Sequence, residues 1–384
     1  MVYKYEQLIP VIFGMGALQQ LGEEINKLGA KKALLVIDGG VKAAGIGEKA
    51  EAVLKDAGID YVIFDKIVSD PPTEIIDEGA IFAKEQGVDV VVGIGGGSSL
   101  DVAKSIGVLQ KYEPPVKQHL ELPPLFLDSP IPIILIPTTA GTGSEVTQVS
   151  VISDVEKNCK LAIFVRSTLA IVDPALTLTV PPAITAYTGL DALSHAVESV
   201  TALNWNPNSE LLALSAIEKI GKFLPIACAD GYNEEARTNL SLAANWAGIA
   251  FAATDIHFGH SIADGFSGAF HTPHGLNCAW ATPEVVSILA KTMPDKIKLI
   301  GEALGVAFSG SEEPGEIGEI TAAAIRKLMK DSGIKSLKDS GYSREDVMAI
   351  VPAVVSSGYL YNSPIEVNEA VATELVSGVY DNYQ

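Results

Sequence analysis

The stretch VDVVVGIGGGSSLDVAKSIGVL, residues 88 to 109, reads as a strand, a turn and a helix in succession. Its first part is a run of β-branched residues typical of a strand buried in a parallel sheet. Three glycines at 95 to 97 end this strand, and helical spacing resumes from about Ser99. Because parallel strands are joined by crossover helices, the stretch predicts a βαβ unit in an α/β domain.

The same alternation extends over the first 180 or so residues and then stops. Further strands are predicted at 31–38, 60–65 and 131–139, and helices at 45–58 and 74–87. After Pro181 and Pro182 the chain has long segments with helical spacing and no convincing strand. We therefore predict two domains: an α/β N-terminal domain, residues 1–180, with a doubly wound, mostly parallel, Rossmann-like sheet, and an all-α C-terminal domain, residues 181–384.

The composition excludes several classes of function. The 384 residues exceed what one hydrophobic core usually organises, which agrees with two domains. Lys and Arg total 27 against 47 Asp and Glu, a formal charge of −20, and no basic cluster offsets it. We therefore expect no nucleic-acid partner and no anionic membrane partner, since both are bound through positive charge.

The beginning of the chain and its cysteines bear on the cellular compartment. The first residues, MVYKYEQLIP, lack the apolar core of a signal peptide, and no run approaches the length of a membrane span. The cysteines at 159, 228 and 278 are scattered, odd in number and without metal-type spacing. This pattern favours a reduced cytoplasmic location over a disulfide scaffold.

The glycine turn is suited to a phosphate group. Glycines permit close approach of the backbone, and the helix that follows offers free N–H groups and a positive dipole end. The turn differs from the G-x-G-x-x-G fingerprint because Ser98 replaces the third glycine, and it lacks the Gly-Lys-Ser/Thr of a P-loop. The alternative is a tight strand-to-helix turn that binds nothing.

Two other strand ends offer polar groups to a ligand in the same crevice. Asp38 ends the strand 31–38, where a carboxylate could bind the ribose hydroxyls of NAD and repel the 2′-phosphate of NADP; it could equally be a turn residue before two glycines. Thr138, Thr139 and Thr142 follow the strand at 131–139 and could add hydrogen bonds.

Asp191 and His195 lie four residues apart in TGLDALSHAVE, residues 188–198, and share one face of a predicted helix. They could be a hydrogen-bonded pair on a solvated stripe or half of a metal site. Four of the six histidines fall between 257 and 274, and His257, His260 and Asp264 have helical spacing. One carboxylate and several imidazoles form the ligand set of a catalytic Zn²⁺ or Fe²⁺ site, a Lewis acid for an alcohol or carbonyl oxygen.

Four motifs occur in series along the chain: GGGSSLDVAK at 95–104, PTTAGTGSEVT at 137–147, TGLDALSHAVE at 188–198 and HTPHG at 271–275. In this order the chain resembles the iron-containing, or group III, alcohol dehydrogenases, which have a dehydroquinate synthase-like architecture. The resemblance implies Fe²⁺, or alternatively Zn²⁺, bound by Asp191, His195, His260 and His274. It implies NAD bound by Asp38, Gly95, Gly96, Gly97, Ser98, Ser99, Thr138, Thr139, Thr142, Thr147 and Lys160.

Two departures from the family pattern concern the proton and the cofactor. Where many members have a further histidine, four residues after the third ligand, this chain has Asp264. Either Asp264 serves the same proton relay or protons leave by another route, for which His271 is the candidate. Near residue 70, where many members have an asparagine between prolines, the chain reads SDPPT, which puts a cofactor contact in doubt.

The resemblance implies an NAD-dependent alcohol dehydrogenase that interconverts a small primary alcohol and its aldehyde, or a small ketone. The substrate oxygen would bind the metal, and hydride would pass to the nicotinamide in a cleft between the two halves. A homodimer is expected, and Trp246, Phe251, Thr254 and Trp280 are expected near the substrate. The alternatives are a lyase similar to dehydroquinate synthase, a dehydrogenase for a phosphorylated substrate, and an inactive binding module; the first two would need basic residues that 191–274 barely offer.

Overall fold

The computed structural model describes residues 2–68, 71–120, 126–154 and 159–384, without the side chains of 153, 154, 159 and 160. It divides into two compact units, which are described separately. The first is Gln7–Thr179; the second is Val180–Gln384, with which residues 2–6 cluster. No helix in the described part of the chain combines the length and the apolar character that a bilayer crossing requires.

The first unit is built on a sheet of six parallel strands with the order β1-β8-β5-β4-β2-β3. The strands of this unit, including a separate antiparallel pair β6-β7, are β1 Val11–Phe13, β2 Lys32–Asp38, β3 Asp60–Ile67, β4 Val90–Gly95, β5 Ile133–Pro137, β6 Val149–Asp154, β7 Cys159–Phe164 and β8 Leu169–Val172. The central strands β4 and β5 are buried at every position, as continuous apolar runs in a parallel sheet should be.

Helices cover both faces of this sheet. They are α1 Leu21–Lys27, α2 Gly39–Ala43, α3 Ile46–Asp56, α4 Thr73–Gln86 and α5 Gly97–Val108, with short 3-10 turns at Ala17–Gln20, Val116–His119, Ser144–Val146 and Pro174–Thr177. Successive residues of β2 belong to different cores: Leu35 packs with residues of α1 and α3, and Leu34 packs with residues of α4 and α5. The sheet is therefore doubly wound, as predicted.

The second unit is helical throughout its described length. Its helices are α6 Pro182–Thr201, α7 Pro207–Ala229, α8 Glu234–Thr254, α9 Phe258–Phe270, α10 His274–Leu289, α11 Pro294–Ala303, α12 Pro314–Asp331, α13 Arg344–Met348, α14 Val351–Val355 and α15 Glu369–Asp381, with a 3-10 turn at Gly358–Asn362. Asparagine side chains cap the N-termini of two of these helices by accepting backbone hydrogen bonds: Asn206 caps α7 and Asn233 caps α8. Pro182 occupies the first position of α6, where its missing N–H costs nothing.

Most sequence-predicted elements are present, but one helix begins earlier than predicted and several strands were not predicted. The helix after the glycine turn begins at Gly97, two residues before Ser99. The antiparallel pair β6-β7 and the strands β1 and β8, on one side of the sheet order, were not predicted. Short strands of three or four residues carry too little alternation to be recognised by pattern.

Candidate metal centre and cofactor site

The face of α6 that carries Asp191 and His195 is buried. Asp191, His195 and Glu198 are all 6% exposed or less, although helical spacing alone could not separate a solvated stripe from an interior one. α6 packs against α7, α8 and α10, so apolar residues occupy its other faces. Burying a carboxylate is costly unless a partner compensates its charge. The solvated-stripe interpretation of Asp191 and His195 is therefore wrong.

Four side chains bring potential metal-binding atoms together in this unit. Atoms of Asp191, His260, His274 and Cys278 all lie within 4.8 Å of one another. Asp191 Oδ1 is 3.7 Å from His274 Nε2, and the sulfur of Cys278 is 3.5 Å from His274 Nε2 and 3.8 Å from His260 Nε2. The residues come from α6, α9 and α10, which converge at this point.

His195 lies directly beside this cluster. Its Nε2 is 3.9 Å from Asp191 Oδ1, and its ring stacks on that of His260 with 4.8 Å between centroids. Phe251 stacks on His195 at 4.3 Å. The structure thus brings together the four residues predicted as ligands, Asp191, His195, His260 and His274, and adds Cys278.

Glu198 fixes the orientation of His260. One of its carboxylate oxygens lies 2.9 Å from His260 Nδ1, and the other accepts a hydrogen bond from the backbone N–H of His257. With Nδ1 engaged, Nε2 of His260 faces Cys278 and is the free ligand atom, an arrangement common around metal-bound histidines. The ring of His257 is hydrogen-bonded to Thr201 Oγ1 at 2.9 Å, which indicates a structural role. His257 lies immediately before the first residue of α9.

Two glycines let the helices approach closely enough to form the cluster. A Cβ on Gly259 would lie 2.3 Å from Glu198 Oε1, and a Cβ on Gly275 would lie 2.2 Å from the carbonyl oxygen of Tyr187 in α6. Both contacts are far shorter than van der Waals separation. The glycine of the HTPHG motif is therefore required for packing next to His274.

The charges of the cluster favour a cation. Burial raises the pKa of Asp191, but His195, His274 and His260 outweigh this effect and hold the pKa below its usual value. Burial lowers the pKa of His195 to about 4, against the attraction of Asp191. Burial also lowers the pKa of His260, but Glu198 and Cys278 raise it well above the usual range. Among the described residues Asp191 Oδ1 has no hydrogen-bond partner, so the donor set fits a divalent ion that would displace protons.

The two candidates for the proton route differ in their surroundings. Asp264 Oδ1 lies 3.7 Å from His274 Nδ1, and Asp264 also interacts with Tyr359, whose ring is 6.5 Å from that of His260. Burial, with the charge of Asp264, raises the pKa of Tyr359. His271 ends α9 with a left-handed φ of 52° and an exposed side chain. Asp264 is therefore the candidate in contact with the cluster.

Of the four residues expected near the substrate, Phe251 contacts a predicted metal ligand. Phe251 stacks on His195, as described. Trp280 is buried and donates a hydrogen bond to the carbonyl of Lys335, and Thr254 is buried and bonds the carbonyl of Ala250. Trp246 lies under the ammonium of Lys219 at 5.5 Å. Motif proximity alone gave no information on which side of each helix faces the site.

In the first unit the glycine turn joins the end of β4 to the start of α5. Gly95 has φ of +156°, and a Cβ there would meet Asp38 Oδ2 at 2.7 Å and Ser99 Oγ at 2.5 Å. Asp38 accepts hydrogen bonds from the backbone of Gly40 and Val41 and from Ser99 Oγ. The carboxylate thus caps α2 and also lies beside the glycine turn, so both interpretations of Asp38 have a structural basis.

The threonine loop packs against the same turn. Thr138 N–H donates to Gly95 O at 2.9 Å, Thr142 fills the space where Gly97 has no side chain, and Thr139 lies 3.6 Å from a Cβ placed on Gly96. Gly96, Gly97 and Ser98 are half-buried at the start of α5.

Thr147 belongs to a different environment, around the buried ammonium of Lys104. Nζ of Lys104 donates to Ser144 Oγ at 2.8 Å and to the carbonyl of Val149 at 2.6 Å, and it lies 3.2 Å from Asp101 Oδ1 and 3.4 Å from Thr147 Oγ1. A contact of Thr147 with a cofactor stays a prediction. The side chain of Lys160 and residues 69 and 70, where SDPPT departs from the family pattern, lie outside the described residues.

Comparison with known proteins decides the family. Residues 10–174 match the model for iron-containing alcohol dehydrogenase, and residues 185–380 match the C-terminal model of the same family. The chain belongs to the iron-containing alcohol dehydrogenase family. This membership confirms the family that the four motifs predicted. It also confirms the predicted fold and the assignment to NAD-linked oxidoreductases that act on alcohols.

Relatives within the iron-containing alcohol dehydrogenases act on several substrates. The chain is 34% identical to the choline dehydrogenase of Bacillus subtilis (strain 168) over 94% of its length and 91% of that protein. It is 35% identical to the 1,3-propanediol dehydrogenase of Klebsiella pneumoniae over 95% of its own length and 96% of that protein. The structure of sulfoacetaldehyde reductase from Bifidobacterium kashiwanohense in complex with NAD⁺ is 27% identical, with a TM-score of 0.89 and 99% of each chain covered.

Sequence reasoning missed three residues that the structure places in or near these sites. Glu198 was not proposed as a site residue, although its position, one helical turn after His195, was a signal. Lys104, within GGGSSLDVAK, gave no sign of burial because lysine is rarely interior. Cys278 was dismissed for want of cysteine spacing, but its offset of four from His274 on a helix was the signal to follow.

Proposed function

We propose that this protein is an NAD-dependent dehydrogenase that interconverts a small alcohol and its aldehyde or ketone. The observation that carries the proposal is the buried cluster of one carboxylate and several imidazoles on α6, α9 and α10, in a chain of the iron-containing alcohol dehydrogenase family. The proposed metal ligands are Asp191, His195, His260 and His274. A divalent ion held there supplies a Lewis acid for the substrate oxygen, and NAD supplies the hydride acceptor.

The residues of the chain orient these groups. Glu198 holds the His260 ring so that Nε2 faces the cluster, and Phe251 covers one face of the His195 ring. Burial of Asp191 and His195 keeps water away from this part of the cluster, so a divalent ion held there would interact more strongly with a substrate oxygen. In the first unit the turn Gly95–Gly97 with Ser98 and Ser99 would receive the pyrophosphate, and Thr138, Thr139 and Thr142 would add hydrogen bonds.

The test is a reconstitution. Protein stripped with a chelator should oxidise NADH with an aldehyde only after Fe²⁺ or Zn²⁺ is restored. The activity restored by each of the two ions then shows which metal the enzyme prefers. A panel that includes 3-hydroxypropionaldehyde, betaine aldehyde and sulfoacetaldehyde samples the substrates of the relatives. Normal NADH binding with no response to any aldehyde would favour the lyase or the inactive binding module instead.

The ribose proposal for Asp38 predicts a change of cofactor preference. Asp38→Asn keeps an oxygen that can accept from Gly40 and Val41, so the cap of α2 survives, but it removes the charge that repels a 2′-phosphate. We expect the ratio of kcat/KM for NAD over NADP to fall roughly tenfold or more, the equivalent of one lost charged hydrogen bond. An unchanged ratio would show that Asp38 is a turn residue only. Asp38→Ala also loses the cap of α2. An effect seen in Asp38→Ala but not in Asp38→Asn would therefore come from local unfolding and not from cofactor choice.

We propose Asp264 as the proton-transfer group, because it contacts His274 and interacts with Tyr359. Asp264→Asn should lower kcat roughly 10²-fold, within the range of general acid–base catalysis, with metal content unchanged. His271→Ala, on the exposed end of α9, should lower kcat less than Asp264→Asn does. The reverse order of the two effects would assign the proton route to His271.

The assembly and location of the protein are further proposals. We propose a homodimer, on the resemblance to the family, and a cytoplasmic location, on the cysteine usage. Lys160 is retained as a proposed cofactor contact on the same resemblance.

A further inference from the structure

Cys278 lies inside the cluster that would hold the metal. It is one helical turn after His274 on α10 and only 1% exposed. Its sulfur faces Nε2 of both His260 and His274, at 3.8 Å and 3.5 Å, and it lies within 4.8 Å of a carboxylate oxygen of Asp191. Nε2 is the atom that each of these imidazoles would offer to the metal.

We propose that Cys278 is itself a ligand of the metal, through its thiolate; this rests on the metal site of the proposed function. Metal–sulfur bonds are about 2.3 Å long and metal–nitrogen bonds about 2.0–2.1 Å, so a sulfur and a nitrogen bound to one ion at an angle of about 110° lie roughly 3.5 Å apart. The two sulfur–nitrogen separations lie close to this value. When the ion binds, the sulfur lone pair forms the new bond and the thiol proton leaves to solvent.

A structural role explains the position of Cys278 less well. A thiol can donate one hydrogen bond and accept weakly from another group, but this sulfur faces two imidazole nitrogens and a carboxylate oxygen. Nearby Asp191 Oδ1 has no hydrogen-bond partner in the described part of the chain. The neighbouring Asn277 is turned away, toward Thr272 and Ser267. These orientations are explained together if one cation lies between the sulfur, the imidazoles and the carboxylate.

A thiolate ligand changes both the charge and the selectivity of the site. One carboxylate with neutral imidazoles leaves a divalent ion at net +1, and an added thiolate brings the site to neutrality. Thiolate is a soft ligand that favours Zn²⁺ over Fe²⁺ beyond the ordinary order of affinities. The site of this chain should therefore prefer Zn²⁺ to Fe²⁺ more strongly than a site with only oxygen and nitrogen ligands does.

The experiment uses Co²⁺ in place of the native ion, because a cobalt–thiolate bond gives an intense charge-transfer absorption in the near ultraviolet and the visible bands report binding itself. The full-length protein is stripped and reloaded with Co²⁺ as wild type, Cys278→Ser, Cys278→Ala and the matched control Cys228→Ala. Cys228 is half-buried on α7, where its sulfur contacts the carbonyl of Pro182. Circular dichroism verifies that each variant is folded.

We expect the near-ultraviolet band in wild type and in Cys228→Ala, and its loss in both Cys278 variants while visible bands persist. Competition with a chelator should show a roughly 10- to 100-fold weaker affinity for Zn²⁺ in Cys278→Ser, as when groups supporting a metal ligand are lost, with a smaller change for Fe²⁺.

Wild-type protein with visible cobalt bands but no charge-transfer band overturns the thiolate ligand and leaves the proposed function standing. Wild-type protein that binds no Co²⁺ overturns both. If Cys278→Ala is unfolded, the wild-type spectrum and Cys278→Ser still decide the question.

Discussion

Replacing His260 by alanine is expected to abolish both metal binding and turnover. His260 contributes the imidazole whose Nδ1 is held by Glu198 and whose Nε2 faces the cluster, so its loss removes an oriented ligand. It also leaves the buried carboxylate of Glu198 without one of its partners. Loss of a Lewis acid worth several kcal/mol corresponds to a fall in kcat on the order of 10³-fold or more. Metal analysis and steady-state kinetics on the same preparation measure the two effects.

His257→Ala is the matched control, because His257 lies three residues earlier and is equally buried but bonds Thr201 instead. Its backbone N–H, which bonds Glu198, survives the substitution. We expect reduced stability with metal content retained. Turnover by a metal-free His260→Ala protein would contradict the proposed function, because the mechanism has no other Lewis acid.

Glu198→Gln tests the orientation of His260 separately. The amide keeps the size of the side chain but removes the charge that fixes the imidazole tautomer. We expect metal affinity to fall roughly 10- to 100-fold, the range for such supporting groups, with kcat recovering as the metal concentration rises. If affinity is unchanged, Glu198 only fills the interior.

Replacing Lys104 by alanine is expected to cost about 3–5 kcal/mol of unfolding free energy, the range measured when one partner of a buried ion pair is removed. Lys104 is 0% exposed, and its ammonium joins α5 to the segment 144–149 through Ser144, Thr147 and the carbonyl of Val149. Without it, Asp101 keeps its charge and loses the cation, and several buried acceptors lose their donor. Urea denaturation followed by circular dichroism measures the loss.

Lys111→Ala is the control, an exposed lysine shortly after α5, and should change stability by about 0.5 kcal/mol or less. A loss below about 1 kcal/mol for Lys104→Ala would mean that water replaces the ammonium among its partners.

The sequence predicted the sheet well where strands are long and buried on both sides. β2 and β4 have continuous apolar runs with clear turn signals, and both were located to within two residues at each end. β1 and β8 are too short for any period to be counted. The pair β6-β7 is held together by hydrogen bonds between its two strands, an arrangement that no local pattern in either strand encodes.

The candidate site was predicted less evenly, because its parts depend on different physical information. Asp191 and His195 share one helix, so their spacing already placed them together. The density of histidines between 257 and 274 suggested the other half of the site, but only the family resemblance selected His260 and His274. Their approach to α6 depends on the packing of α10 against α6 and of α9 against α10. Cys278 lies four residues after His274, but this offset alone does not show that its sulfur faces His260 and Asp191, which the packing of the helices decides.

The grouping of the ligands by helix has a consequence for how the protein matures. α6 provides Asp191 and His195, α9 provides His260, and α10 provides His274 and Cys278, so no helix alone holds more than two of these groups. Between Asp191 and Cys278 the chain contains the rest of α6, all of α7, α8 and α9, and the first residues of α10. No single helix therefore forms a complete chelating segment, and we expect an ion to bind with full affinity only after the helices of this unit have packed together.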